Sequence, residues 1–466
     1  MHRTGTIVWM RQDLRLRDNP ALHAAAARRQ AVIPLYIWSP EEEGAWPIGA
    51  AQRWWLHESL GELNRSLRAL GSRLIIARGP ALPTLLSVAA AAGARAVHWS
   101  ERYEPAAVAV AAQVAAGLAA AGIEVRRFNS AVLAEPATLL NGERRPYRVY
   151  SAFFRALLER ADPGTPLPAP TRLRRPRTWP ESVTRESLGL LPAGGWYSGM
   201  ARCWSPGEAG AQWQFDRFLH TALPGYDQSR NTPSVRGTSR LSPHLHFGEI
   251  SVREIWHALE RAGRAPTFRS ELGWREFGYH LLHHFPDTTD QPLRGEFARF
   301  PWKADRARLL AWQKGWTGLP LVDAGMRELW ATGWMHNRVR MVAASFLVKN
   351  LMLPWQQGAR WFWDTLVDAD LASNTLNWQW VAGCGVDAAP FFRIFNPRAQ
   401  AARFDPQGHY TRQWVPELSG KGARPYPEPI VDLGQSRAAA LEAFRSLKAS
   451  GAEAPRQPPG ASVASN

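Results

Sequence analysis

TIVWM (Thr6–Met10), VIPLYIW (Val32–Trp38), RLIIARG (Arg73–Gly79), AVHWS (Ala96–Ser100) and EVRRF (Glu124–Phe128) are short β-branched and aromatic runs, each separated from the next by a longer helix-forming, often Ala-rich stretch. Apolar runs of about four to eight residues alternating with helix-length segments are the pattern of a parallel sheet covered by crossover helices. Residues 1–130 therefore predict a doubly wound α/β domain. The loop after the first run, RQDLRLRDNPAL (Arg11–Leu22), contains no GxGxxG fingerprint, so a dinucleotide held in the usual Rossmann manner is not supported.

Outward from this domain the composition changes. Residues 131–205 become Pro- and Arg-rich, as in TPLPAPTRLRRPRTWP (Thr165–Pro180), which predicts an extended linker over the surface. From Pro206 the β signal disappears, and helical stretches rich in Trp, Leu and Arg predict a nearly all-α domain over 206–450. The tail 451–466 has the composition of disorder. A chain of 466 residues exceeds one ordinary core, which agrees with this division.

The charge balance of 56 Lys+Arg against 40 Asp+Glu, +16 in all, favours a polyanionic partner, nucleic acid first, although a high-GC genome that substitutes Arg for Lys can inflate basicity. Two cysteines, Cys203 and Cys384, exclude a disulfide framework and any cysteine-based metal cluster. The N-terminus lacks a signal-peptide core, and the longest apolar tract, Pro105–Gly122, is mostly Ala with Gln113 inside it, a packed helix and not a span. A soluble, cytoplasmic protein is expected.

Of 23 Trp, 16 lie from Trp196 onward, so the unusual chemistry belongs to the helical part. There WMHNRVRM (Trp334–Met341), DADLASN (Asp368–Asn374) and WQW (Trp378–Trp380) gather amide, arginine, carboxylate and indole groups. On a helix Asp370, Asn374 and Trp378 share one face, as do Asn337 and Met341, and such a face is costly to bury without a partner that uses it. The alternative is a Trp-rich helical core with a polar rim. GTSRLSPHLHFGEIS (Gly237–Ser251) opens a predicted helix with Thr, Ser and Arg at its start, where a pyrophosphate would fit, or where they serve only as caps. His280, His283 and His284 share a face, but no nearby carboxylate completes a metal set, and no metal is expected.

Taken with GYDQSRN (Gly225–Asn231), WREFGYHLL (Trp274–Leu282) and APFFRIFNP (Ala389–Pro397), these motifs in this order resemble the photolyase and cryptochrome family from Thr6 to the YPEPIVD segment (Tyr426–Asp432). The resemblance implies an α/β antenna domain, a helical domain holding a folded FAD that works as FADH⁻, and light-driven electron transfer to a cyclobutane pyrimidine dimer flipped out of UV-damaged DNA. Such an enzyme is a carbon–carbon lyase. The alternatives are a cryptochrome, signalling with the same flavin, and a nucleic-acid-binding protein without catalytic flavin.

Position by position, the resemblance puts Tyr226, Thr238, Ser239, Arg240, Leu241 and Ser242 around the phosphates and ribitol. Phe268 falls near the adenine, where many bacterial members have Trp. Arg275, Asp368, Asp370 and Asn374 surround the isoalloxazine, with Asp370 accepting from N3–H and the Asn374 amide facing N5. Trp302, Trp355 and Trp378 match the electron-hopping chain. Glu271, Trp274, Asn337, Met341 and Trp380 match the dimer pocket, and Arg230 and Arg338 the phosphate grip. Glu271, Asn337, Met341 and Asn374 form the implied catalytic set. Asn337, in place of a second histidine, is closer to cyclobutane-dimer enzymes than to (6-4) photolyases. Glu104 matches an acidic antenna position, for methenyltetrahydrofolate or a deazaflavin. A monomer working away from membranes is expected.

Overall fold

The computed structural model describes residues 5–263, 265–388, 392–421 and 425–452. Five strands, β1 (Gly5–Met10), β2 (Ala31–Trp38), β3 (Ile75–Arg78), β4 (Ala94–Ser100) and β5 (Glu124–Phe128), form one parallel sheet in the order β3-β2-β1-β4-β5. Ile7, Ile33 and Val97 stand side by side in register and bury one face among Leu and Ala side chains, while Val8, Val32 and Tyr36 bury the other. Two buried faces explain why these runs are apolar throughout instead of alternating. β5 is an edge, blunted by exposed Glu124, Arg126 and Arg127.

The chain winds outward from β1 to β3 on one side and then from β4 to β5 on the other, so the ends of β1 and β4 form a topological switch point. The loop after β1 is fastened by Arg15. Its fully buried guanidinium donates to the carbonyls of Arg17, Asp18, Ser130 and Gly248 at 2.7–3.2 Å, spending its donors on backbone from both halves of the chain.

The segment between the sheet and the helical half departs from the expected surface connection. It contains the helix Tyr150–Arg160, and farther on Arg174 bridges to Ala31 at the start of β2. Leu173, Leu188 and Leu190 are inserted into the core beneath the sheet, because apolar side chains spaced along an extended chain gain more from burial than from lying in water.

From Glu208 onward the structure is helical among the described residues. The long helix Pro266–His284 crosses Leu371–Ala382, with Gly278 lying against Ala372. The predicted helix over Gly237–Ser251 is only the short Ser242–His246, followed by Val252–Arg261. Residues 453–466 and 389–391, within the tail and the APFFRIFNP motif, lie outside the described residues. No helix among the described residues is long and apolar enough to cross a membrane.

Candidate functional site

Two helix starts set the geometry. His336 caps Asn337–Ser345, its Nδ1 accepting from Arg338 N–H at 3.2 Å. Asp370 caps Leu371–Ala382, its Oδ1 accepting from Ser373 N–H at 2.8 Å. These caps fix the faces that carry Asn337, Arg338 and Met341 on one helix and Asn374 and Trp378 on the other.

Between them lies Asp368, almost fully buried. Its Oδ2 accepts from Ser242 Oγ at 2.6 Å and from Arg340 Nη2 at 2.9 Å, while Oδ1 is buried without any donor. Arg340 is absent from the residues singled out by sequence. The signal was available: a carboxylate destined for burial requires a cation, and WMHNRVRM offers two arginines.

Asp370 is more fully engaged. Tyr279 Oη donates to its Oδ2 at 2.6 Å, and His246 Nδ1 lies 3.7 Å from the same oxygen. Burial pushes this carboxyl up, but His246, Arg275 and Tyr279 together outweigh it and hold Asp370 well below the usual carboxylate range. Arg275 donates to Ala131 O at 2.7 Å and Glu276 Oε1 at 3.1 Å and stacks over the Tyr279 ring. Asn374 donates Nδ2–H to Ala359 O at 3.2 Å, which leaves its acceptor oxygen on the other end of the amide.

Arg240 has a left-handed backbone (φ +53°), and its guanidinium lies over both Trp204 and Trp334, with Nε buried and lacking an acceptor. Tyr226 and Phe268 pack edge to face with centroids 5.3 Å apart. Thr238, Ser239 and Leu241 lead into Ser242, whose hydroxyl bonds Asp368, and Gln214 Nε2 donates to Ser239 O.

On the more exposed side, Arg230 pairs with Glu271 at 2.5 Å, and burial pushes the Glu271 carboxyl up against the pull of that arginine. Arg338 donates to Asn231 Oδ1 at 2.8 Å and approaches Met341 Sδ, and Asn337 is exposed beside them. Trp274 stacks on Tyr150 with centroids 3.7 Å apart and planes 8° apart. Half-buried Trp380 lies under Arg393. Sequence reasoning missed Tyr150, whose place opposite Trp274 depends on the chain doubling back over some 120 residues.

Trp378 and Trp355 are buried in one core with half-buried Trp302 packed against it. Gly358 is flush with Trp378, since a Cβ there would fall 2.1 Å from the indole. Trp312, fully buried, lies edge-on to Trp378 at 6.3 Å and was not foreseen. His280 and His284 are spent on Tyr147 N–H and Pro136 O.

At the switch point of the sheet, a cleft of about 840 Å³, open mouth included, is lined by Trp9, Tyr36, Trp38, Trp363, Arg11 and Arg102 among others. Glu104 stands behind Arg102, bonding it at 3.2 Å, while Arg102 also pairs with Glu43 at 3.0 Å. Arg11 Nη1 is buried and unpartnered.

The descriptions "DNA photolyase" and "FAD binding domain of DNA photolyase" match residues 6–171 and 268–424. A deoxyribodipyrimidine photo-lyase of Agrobacterium fabrum is 45% identical over 95% of this chain and 98% of its own length. Cryptochrome-1 of Arabidopsis thaliana is 38% identical over 95% of this chain and 70% of its own. The crystal structure of a bacterial class III photolyase from Agrobacterium tumefaciens superposes with a TM-score of 0.92 at 44% identity, covering 96% of this chain and 98% of that one.

Proposed function

The chain belongs to the DNA photolyase family, and from that premise we propose that it is a light-driven deoxyribodipyrimidine photo-lyase acting on cyclobutane pyrimidine dimers in DNA. The residues present fit an FAD. A buried Asp368 oxygen lacks a donor, a buried Arg240 nitrogen lacks an acceptor, and the Asn374 oxygen is free of the bond that fixes its amide. When bound and reduced, the flavin supplies on illumination the electron that opens the cyclobutane ring and recovers it afterwards.

Asp370, in its remaining lone-pair directions, would accept the N3–H of the isoalloxazine, and Asp368 would border the ring with Oδ1 still open to a donor. Arg340 and Arg275 balance these two charges and keep the site favourable to an anionic ring. Asn374 would offer its amide oxygen to the N5–H of the reduced ring and, being a neutral amide, has no acidic proton to deliver to an unprotonated N5. Tyr226, Phe268 and the Thr238–Ser242 turn enclose the remainder of the cofactor.

Glu271, Asn337, Met341, Trp274 and Trp380 receive the flipped dimer, the carboxyl and amide reading base edges and the indoles stacking. Arg230 and Arg338 hold its phosphates. Trp378, Trp355 and Trp302 carry electrons inward from the surface to an oxidised flavin. The cleft at the switch point takes the antenna chromophore: its indoles suit a planar heterocycle and the unpartnered Arg11 Nη1 suits an anionic tail, which favours methenyltetrahydrofolate over a deazaflavin. Glu104 acts there through Arg102. The protein works as a cytoplasmic monomer, with an antenna unit up to about residue 130 and a flavin- and DNA-binding unit from about 206.

The observation that carries this reading is the buried, half-satisfied Asp368 carboxylate, paired with Arg340 on the helix whose first turns carry exposed Asn337 and half-buried Arg338 and Met341. Flavin-loaded, reduced protein given dimer-bearing DNA should restore thymines under near-UV or blue light and not in the dark. Absence of repair at full flavin occupancy would overturn it, and a flavin that responds to light without repair would point to a cryptochrome.

A further inference from the structure

The helix Ala50–Ala69 of the α/β half begins hard against the helical half. A Cβ on Gly49 would fall 2.2 Å from Trp363 O. Ala50 N–H donates to Asp364 Oδ1 at 2.9 Å, and Trp363 Nε1–H donates to Pro47 O at 2.7 Å. At this seam Gln52 is fully buried. Its Oε1 accepts from Gly49 N–H at 3.3 Å, which identifies the other end of the amide as nitrogen. That Nε2 lies 2.6 Å from Ala369 O and 2.8 Å from His246 Nε2.

An amide nitrogen has two N–H bonds and nothing to accept with, so Gln52 donates in both contacts and His246 Nε2 must carry a lone pair. The imidazole proton is therefore on Nδ1, since an imidazolium would set N–H against N–H. Nδ1 is buried, has no hydrogen-bond partner and faces Asp370 Oδ2 at 3.7 Å. One amide thus holds the Ala369 peptide between two carboxylates and turns a positive dipole end toward one of them.

Resting on the reading that Asp368 and Asp370 hold the flavin, we propose that Gln52 and His246 are positioning residues for that site. Through them a side chain of the α/β half sets the electrostatic field at the isoalloxazine in the helical half. Both residues also border the switch-point cleft, so its occupant and the flavin site share one imidazole.

The test is made on FAD-loaded protein, reading FAD dissociation and the flavin midpoint potential. Gln52→Ala frees the imidazole to change tautomer, so FAD should bind about tenfold more weakly, and the potential should become more negative because the Asp370 charge is less offset. His246→Leu should do the same. His246→Gln should retain wild-type values, since its amide oxygen can accept from Gln52 while its N–H faces Asp370. The His246 pair decides the matter if Gln52→Ala does not fold. Wild-type potential and affinity in His246→Leu, or an equal loss in His246→Gln, would overturn the proposal. Asp368→Asn separates the causes: if it shifts the flavin while His246→Leu does not, the positioning role alone fails, and if neither does, the flavin placement fails with it.

Discussion

Asp368 and Arg340, 2.9 Å apart, depend on each other because a lone buried carboxylate is far less stable than a paired one. Arg340→Ala should lower stability by about 3–5 kcal/mol and release flavin, and adding Asp368→Asn should recover part of the loss; thermal melts with flavin fluorescence check both. Glu276 gives a pH signature. Burial pushes its carboxyl up to about 7, against the pull of Arg275 and two backbone N–H groups. Its folded-state pKa lies above its unfolded value, so it contributes stability that is complete below the unfolded pKa and disappears as pH rises through about 7. Glu276→Gln should flatten the stability profile over that window, removing a slope worth at most roughly 3 kcal/mol, as urea titrations at stepped pH would show. Arg340 and Glu276 both sit inside quoted motifs, WMHNRVRM and WREFGYHLL, yet the motif gives neither its role, since each matters through what it is buried against.

Helix Leu371–Ala382 was legible from the spacing of Asp370, Asn374 and Trp378, although the structure makes Asp370 its cap and not a residue of its face. The helix is buried nearly all round, with Asn377 alone of its residues exposed, and Asn374 and Trp378 both lie in the interior. What the spacing could not show is the neighbour that receives Trp378: Gly358, on Trp355–Thr365, leaves room for the ring's far edge. Gly358→Ala should lower stability by about 1–3 kcal/mol and slow photoreduction by displacing the indole. Trp378→Phe should block photoreduction of oxidised flavin and leave repair by already reduced enzyme largely intact. Transient absorption alongside a repair assay distinguishes the cases, and equal loss of both activities would contradict the hopping role. The predicted helix at Gly237 fared less well, shrinking to Ser242–His246, because Arg240 takes a left-handed backbone to reach Trp204 and Trp334.

Across the whole molecule, a net charge of +16 gives long-range attraction to DNA, while Arg230 and Arg338 act at contact range. Arg338→Ala should weaken binding to dimer-bearing DNA and flatten the log–log salt dependence by about one unit, if it neutralises one phosphate; an unchanged slope in a binding titration would remove it from the interface. The sequence alone determined the sheet and the all-helical second half, because those follow from local periodicity carried within a few turns of chain, while the residues expected at the site came from the resemblance to the family. The tertiary structure decided which charges meet. It brought Gln52 to Ala369 and His246, Tyr279 to Asp370, Tyr150 to Trp274 and the linker leucines beneath the sheet. Those pairings are set by packing between segments far apart in sequence, where a residue's own neighbours in the chain carry no record of its partner.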